Sequence, residues 1–247
     1  MTSENKLIAD HVFDGGSMDW GSGLILLIRQ NMMNVPAGGL LEIRSTEPTV
    51  ESELPPWCRM VGHTHVRSDE VSPGEWRHFV QRKLKETSDD EKKDLDADRE
   101  KARAFKWSLR GRRSSKVETV IYSRNFSWKS GASLGFDRSA ELPTALEQML
   151  GSLLSDVLAC FSIQCSQRSL LVDEIEATVN ATLNDTLAAV GLESGDASVK
   201  EIALILFVTS PALSERLMDV WHVALNASPV FQTLKKGCEM DARIVLL

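Results

Sequence analysis

One tyrosine, four cysteines and no surplus of basic charge are the scarcities of this sequence, and each removes a class of function. With 28 Lys and Arg against 35 Asp and Glu, for a net charge of -7, the chain lacks the clustered cations that neutralise phosphates, so no nucleic-acid partner is expected. No apolar run approaches the roughly 18 residues of a membrane span. MTSENKLIAD also lacks the basic stretch and apolar core of a signal peptide. A cytoplasmic chain without a membrane partner is therefore expected. Cys58, Cys160, Cys165 and Cys238 are too few and too scattered for a disulfide framework, and a reducing compartment keeps them as thiols. No cofactor is expected.

What is present is length enough, at 247 residues, for two small cores. The stretch KETSDDEKKDLDADREKAR, residues 85–103, is almost wholly charged, with opposite signs one helical turn apart. It reads as a solvated, partly helical linker between domains at 1–84 and 104–247. The first domain reads as LIADHVF (strand), LILLIRQNMM (helix), LLEIRST (strand), a helix from Glu47-Pro48, then HTHVRS and EWRHFVQ as strands around SPGE. The order β-α-β-α-β-β makes a two-layer sandwich, with two helices on one face of a four-stranded sheet.

The second domain opens with strand-like KWSLRG, VETVIYS and FSWKS. From Thr144 to about Gln167, Leu146, Met149, Leu150, Leu153, Leu154, Val157, Leu158 and Phe161 recur at three- and four-residue spacing, the pattern of a long central helix. LLVDEIEATVNATL, KEIALILFVTS and MDARIVLL add strands, and LSERLMDVWHVALNAS a helix, giving a mixed sheet around that helix. The fold class is α+β. The cluster Arg110, Arg112, Arg113 and Lys116 has no interleaved aromatics and reads as a solvated turn.

In residues 6–84, Phe13-Asp14, the helix LILLIRQ, VPAGGLLEIRSTEP and PPWCRMVGH resemble the TusA family of sulfur-carrier proteins. That resemblance implies a loop of Cys-Pro-x-Pro opening the first helix, whose free N–H groups and dipole stabilise a thiolate that accepts sulfur. Here the tetrapeptide is Trp20-Gly21-Ser22-Gly23. Trp20 cannot carry sulfur, so the fold carries over and the activity does not. The indole either stacks on an apolar partner or fills a loop pocket. Cys58 matches a cysteine of the second motif and reads as a packed thiol beside Trp57 and Met60. His63 and His65 follow it at metal-ligand spacing, but a closed site needs four ligands, so no metal is expected.

Residues 104–247, through LEQMLGSLLSDVLACF and SPVFQTL, resemble the OsmC superfamily of thiol peroxidases. The resemblance implies one cysteine in the central helix and a second before Pro-Val, the first attacking peroxide and the second resolving the sulfenic acid. Those positions hold Leu153 and Ser228, so the family's cycle is not expected. Cys160, seven residues beyond Leu153 and nearly on the same helix face, is the candidate stand-in. The family's glutamate falls at Thr144, with Glu147 one turn on. Arg124, Arg138 and Asp156 are candidates to line the same cavity. Asp156, an acid on an apolar helix, needs a partner or a raised pKa, and reads either as a working acid or as a residue that points to solvent or caps a neighbouring loop.

The resemblance further implies a homodimer through the second domain. The expectation is a non-peroxidase protein of sulfur or redox metabolism. A small molecule or a sulfur-carrier protein would bind beside Leu153, Ser228, Trp20 and Arg138. The rival is an enzyme using Cys160 as a relocated thiol, or Asp156 with Glu147 or Arg124 in acid–base work.

Overall fold

The computed structural model describes residues 7–84, 88–136 and 140–247, with backbone alone at 88–91. The chain divides into two compact units. One comprises the chain up to Phe105 together with Ser166–Leu170, and the other comprises Lys106–Cys165 and Leu171–Leu247.

The first unit runs β1 (His11–Asp14), a 3-10 turn (Trp20–Ser22), α1 (Leu24–Met32), β2 (Leu40–Ser45), α2 (Thr49–Val61), β3 (Thr64–Ser72), β4 (Glu75–Gln81) and α3 (Ser88–Arg103). The sheet order is β1-β2-β4-β3. A helix joins β1 to β2, and these two strands are parallel, whereas β4 is antiparallel to both β2 and β3. The β-α-β-α-β-β order is therefore as the sequence pattern predicts. Period-two burial places Leu41 and Ile43 of β2 on the core face, opposite Val80 and His78 of β4. Leu24, Ile28 and Met32 of α1, one turn apart, and Val50, Leu54, Trp57 and Cys58 of α2 cover that face.

The charged stretch departs from expectation. Instead of a solvated linker, it forms α3 and belongs to the first unit. Leu95 is 4% exposed, and Arg29 of α1 lies 3.2 Å from Asp98 and 3.8 Å from Asp94. One leucine among acidic residues carries no visible periodicity, yet its burial contributes about 1.5–3 kcal/mol, more than an exposed ion pair at about 0–1 kcal/mol.

The second unit contains β5 (Arg110–Arg113), β6 (Thr119–Ser123), β7 (Phe126–Ser130), α4 (Ala145–Ser166), β8 (Glu174–Leu183), α5 (Thr186–Ala189), β9 (Val199–Thr209), α6 (Ser214–Ala227), α7 (Pro229–Leu234) and β10 (Glu239–Leu246). Among the described residues its strands form two sheets rather than one. The antiparallel set is β5-β6-β7; the mixed set is β10-β9-β8, with β10 parallel and β8 antiparallel to β9. The basic cluster thus lies largely in strand β5, not in a turn, and Arg110 sits 4.6 Å over the Tyr122 ring.

The core of this unit gathers Leu153, Val157 and Phe161 of α4, Leu217, Val220, Trp221 and Ala224 of α6, and Ile202, Leu204, Leu206 and Val208 of β9. Phe161 meets Trp221 edge-on, with centroids 6.3 Å apart. Pro229 follows the end of α6 and opens α7, taking the helix position where a missing N–H costs nothing. By length and composition α4 could cross a membrane, and 22% of its apolar window is buried.

Candidate functional site

In the second unit the site forms where α4 meets the elbow between α6 and α7. Ser228 ends α6 and N-caps α7. Its hydroxyl donates to Asp156 Oδ2 at 2.5 Å and accepts from the Phe231 N–H at 3.1 Å. The Val230 N–H donates to the same carboxylate oxygen at 2.9 Å. Oδ1 faces Cys160, whose thiol donates at 3.8 Å. Two of the orphan donors of α7 are satisfied in this way, and the carboxylate's charge lies where the helix dipole favours it. Of the two readings of Asp156, the observed contacts are those of a cap.

This geometry holds atoms in place more readily than it attacks. Burial, with the Asp156 charge and hydrogen bond added, pushes the Cys160 thiol up to about 11. At neutral pH it stays protonated and a poor nucleophile. Leu153 and Ser228 are both fully buried. The Cys238 thiol donates to the Leu234 carbonyl at 3.3 Å and is raised by burial.

The other candidates lie elsewhere. Glu147 closes a capping box: its carboxylate accepts from the Thr144 N–H at 2.7 Å and hydroxyl at 2.9 Å, while Thr144 Oγ1 accepts from the Glu147 N–H at 3.2 Å. The backbone bond from Thr144 leads the causes that lower its pKa. Nine residues separate it from Asp156, roughly 13 Å along the helix. Arg124 occupies the β6–β7 hairpin turn with φ 51° and lies 5.6 Å over the Phe126 ring. The structure therefore brings Asp156, Cys160 and Ser228 together and leaves Glu147 and Arg124 outside that set. Arg138 lies outside the described residues.

In the first unit Trp20 opens the 3-10 turn, which Asp19 caps by accepting from the Ser22 N–H at 2.7 Å. Gly23, with φ 96°, then turns the chain into α1, a conformation that disfavours any side chain. The Trp20 ring lies 6.2 Å from Trp57, and Trp57 lies 5.7 Å from His63. Trp20 thus packs against Trp57 of α2. Both indole N–H groups are buried without an acceptor. Cys58 is fully buried, and burial pushes it up to about 12.

Sequence reasoning missed a buried relay. Ser68 Oγ lies 2.7 Å from His78 Nδ1 and 3.0 Å from His65 Nε2. The period-two placement of His78 on the core face was its only signal. Among the described residues no three His, Cys, Asp or Glu side chains assemble as a metal set.

Fold and site define a class before any comparison: an α+β chain with a carrier-type sandwich that has no thiol at its first helix, followed by a two-sheet unit on a long helix. Residues 23–82 match the family model described as Sulfurtransferase TusA, and this segment is a TusA domain. The match begins at Gly23, just past Trp20. The sulfur carrier protein TusA of Pseudomonas savastanoi pv. phaseolicola (strain 1448A / Race 6) is 27% identical over 59 residues, which are 24% of this chain and 69% of that protein. That of Pseudomonas putida (strain GB-1) is also 27% identical over 59 residues, 24% of this chain and 72% of its own length. Over the C-terminal part, the crystal structure of an OsmC like protein from Mycoplasma pneumoniae superposes with a TM-score of 0.51 at 15% identity, covering 58% of this chain and 99% of that one. At that identity the likeness establishes the fold and no activity.

Proposed function

We propose that this is a cytoplasmic, homodimeric protein of sulfur or redox metabolism that is not a peroxidase. Its OsmC-like part binds a small molecule or a sulfur-carrier protein, and its TusA domain mediates docking. The observation that carries the reading is the hydrogen bond from buried Ser228 to the half-buried Asp156, one turn from Leu153. Where the family resemblance calls for two thiols, this chain has a leucine and a capping serine, and its nearest thiol is held protonated.

Dimerisation is supported by exposed apolar surface. Trp107, Leu109, Val117, Phe126, Trp128 and Phe136 are exposed, and α4 turns Gly151, Ser155 and Ala159, one turn apart, outward. Small residues at that spacing let a second helix approach closely. A binding cavity would then form at the subunit boundary.

The test is turnover of tert-butyl hydroperoxide with a dithiol. The purified chain is expected to show none above background, and dithiol-dependent turnover abolished by Cys160→Ser would sink the reading. The rival acid–base enzyme predicts that Asp156→Asn folds but loses its reaction. Native mass spectrometry of protein from its own cells is expected to show a dimer, and a monomer would remove the assembly.

A further inference from the structure

Among the described residues, the gap between α1, α2 and α3 in the first unit contains a pocket of about 30 Å³ lined by Arg29, Trp57, His63, Lys83 and Asp94, closed by Met32, Met33 and Val61. Its polar lining sets the donors of Arg29, Trp57 and Lys83 beside the Asp94 carboxylate and the His63 ring. Trp57 is 5% exposed, and its Nε1–H is buried without an acceptor. Arg29 Nε is also buried without an aligned hydrogen bond, because Asp98 at 3.2 Å stands off the N–H direction. Asp94 reaches the same guanidinium only at 3.8 Å, and its side chain is 71% exposed. Two buried donors left unsatisfied in one small pocket call for an acceptor. The Arg29 guanidinium, although flanked by Asp94 and Asp98, and the Lys83 ammonium in the lining favour a charged one.

We propose that this pocket is a binding site for a small oxyanion, with Asp94 of α3 its intramolecular competitor. Arg29 and the Trp57 indole donate to the anion's oxygens and Lys83 supplies charge. A tetrahedral ion needs more room than the present gap, and the exposed Asp94 carboxylate can swing out to provide it. The surrounding core of α1 and α2 need not move. The site is independent of the Asp156 cluster and of the function proposed above.

The experiment is a titration of the full chain, labelled with ¹⁵N at its indoles, with sodium sulfate or sodium acetate at constant ionic strength against sodium chloride; Trp57→Phe assigns the Trp57 Nε1–H signal. A saturable shift of that signal is expected with an oxyanion and not with chloride. Saturation by sulfate identifies an inorganic oxyanion and saturation by acetate a carboxylate, and either supports the site. Arg29→Gln is expected to raise the midpoint about tenfold or more, the size of a lost charge-assisted hydrogen bond, whereas Asp94→Asn is expected to lower it about threefold by removing the competing charge. The remaining indole signals report the fold of each variant, and Lys83→Gln replaces Arg29→Gln should those signals be lost. A response that is linear, equal to that of chloride, or unchanged in both cation variants would overturn the proposal, leaving a pocket for water alone.

Discussion

Ser228 donates its hydroxyl to Asp156 at 2.5 Å across 72 residues of sequence, and both groups are committed to the first turn of α7. Removing either partner leaves the other, buried Ser228 or half-buried Asp156, short of one hydrogen bond. Ser228→Ala is expected to cost about 1–3 kcal/mol, combining a lost N-cap with an under-satisfied carboxylate. Because Asp156 and Ser228 share one interaction, the double variant Ser228→Ala, Asp156→Asn should cost clearly less than the sum of the singles. Urea unfolding of the four proteins measures this, and strict additivity would show that the bond contributes nothing.

The thiols provide a second prediction. Burial pushes Cys58 up to about 12, and burial with Asp156 pushes Cys160 up to about 11. At pH 7.5 the thiolate fraction at Cys160 is then lower by roughly two orders of magnitude than for an unperturbed cysteine at about 8.5. Iodoacetamide labelling followed by mass spectrometry should find both residues slow in the folded chain and fast in urea. Rapid labelling of Cys160 in the folded state would revive it as a nucleophile.

The elements whose pattern is local were legible in the sequence. The three- and four-residue spacing of α4 and the alternation of β2 and β4 fix which face each element buries, and the sandwich order followed. What was not legible depends on partners distant in sequence. Nothing local to Asp156 shows that it caps a helix beginning at Pro229, and nothing around Leu95 marks it as a buried residue of a charged helix. Glu147 was read as a candidate acid, although Thr144 three residues earlier already spelled a capping box.

Capping and catalysis separate cleanly at that box. Thr144→Ala should destabilise the second unit by about 1 kcal/mol through the lost cap. Glu147→Gln should preserve most of the hydrogen bonding and lose the favourable charge at the start of α4. Neither is expected to alter the binding of a small molecule or carrier proposed for the second unit, as followed by native mass spectrometry of protein from its own cells. A ligand lost from Glu147→Gln at unchanged stability would return Glu147 to the site.

Acid should act through the buried relay of the first unit. His78 is fully buried on the core face, its Nδ1 on Ser68 and its Nε2 without a partner. A neutral ring with the proton on Nδ1 avoids a buried orphan N–H, whereas the imidazolium would force one into the core. Burial, aided by His65, therefore lowers His78 to about 4. Its folded value lies below the unfolded value of about 6.5, so the unfolded chain binds the proton more tightly. The stability that the neutral ring secures is present above pH 6.5 and is lost as the pH falls toward 4. Between pH 7 and pH 5 the loss is about 2 kcal/mol. Burial lowers His65 as well, which adds in the same direction. The two-arginine grip on Glu42 holds that carboxylate below its usual value, and its loss comes at lower pH, outside this window. Urea midpoints at pH 7 and pH 5 should therefore differ in the native chain and differ less in His78→Phe, which keeps an aromatic ring and removes that residue's titration while His65 remains. An equal pH dependence in the variant would assign the acid sensitivity to another group.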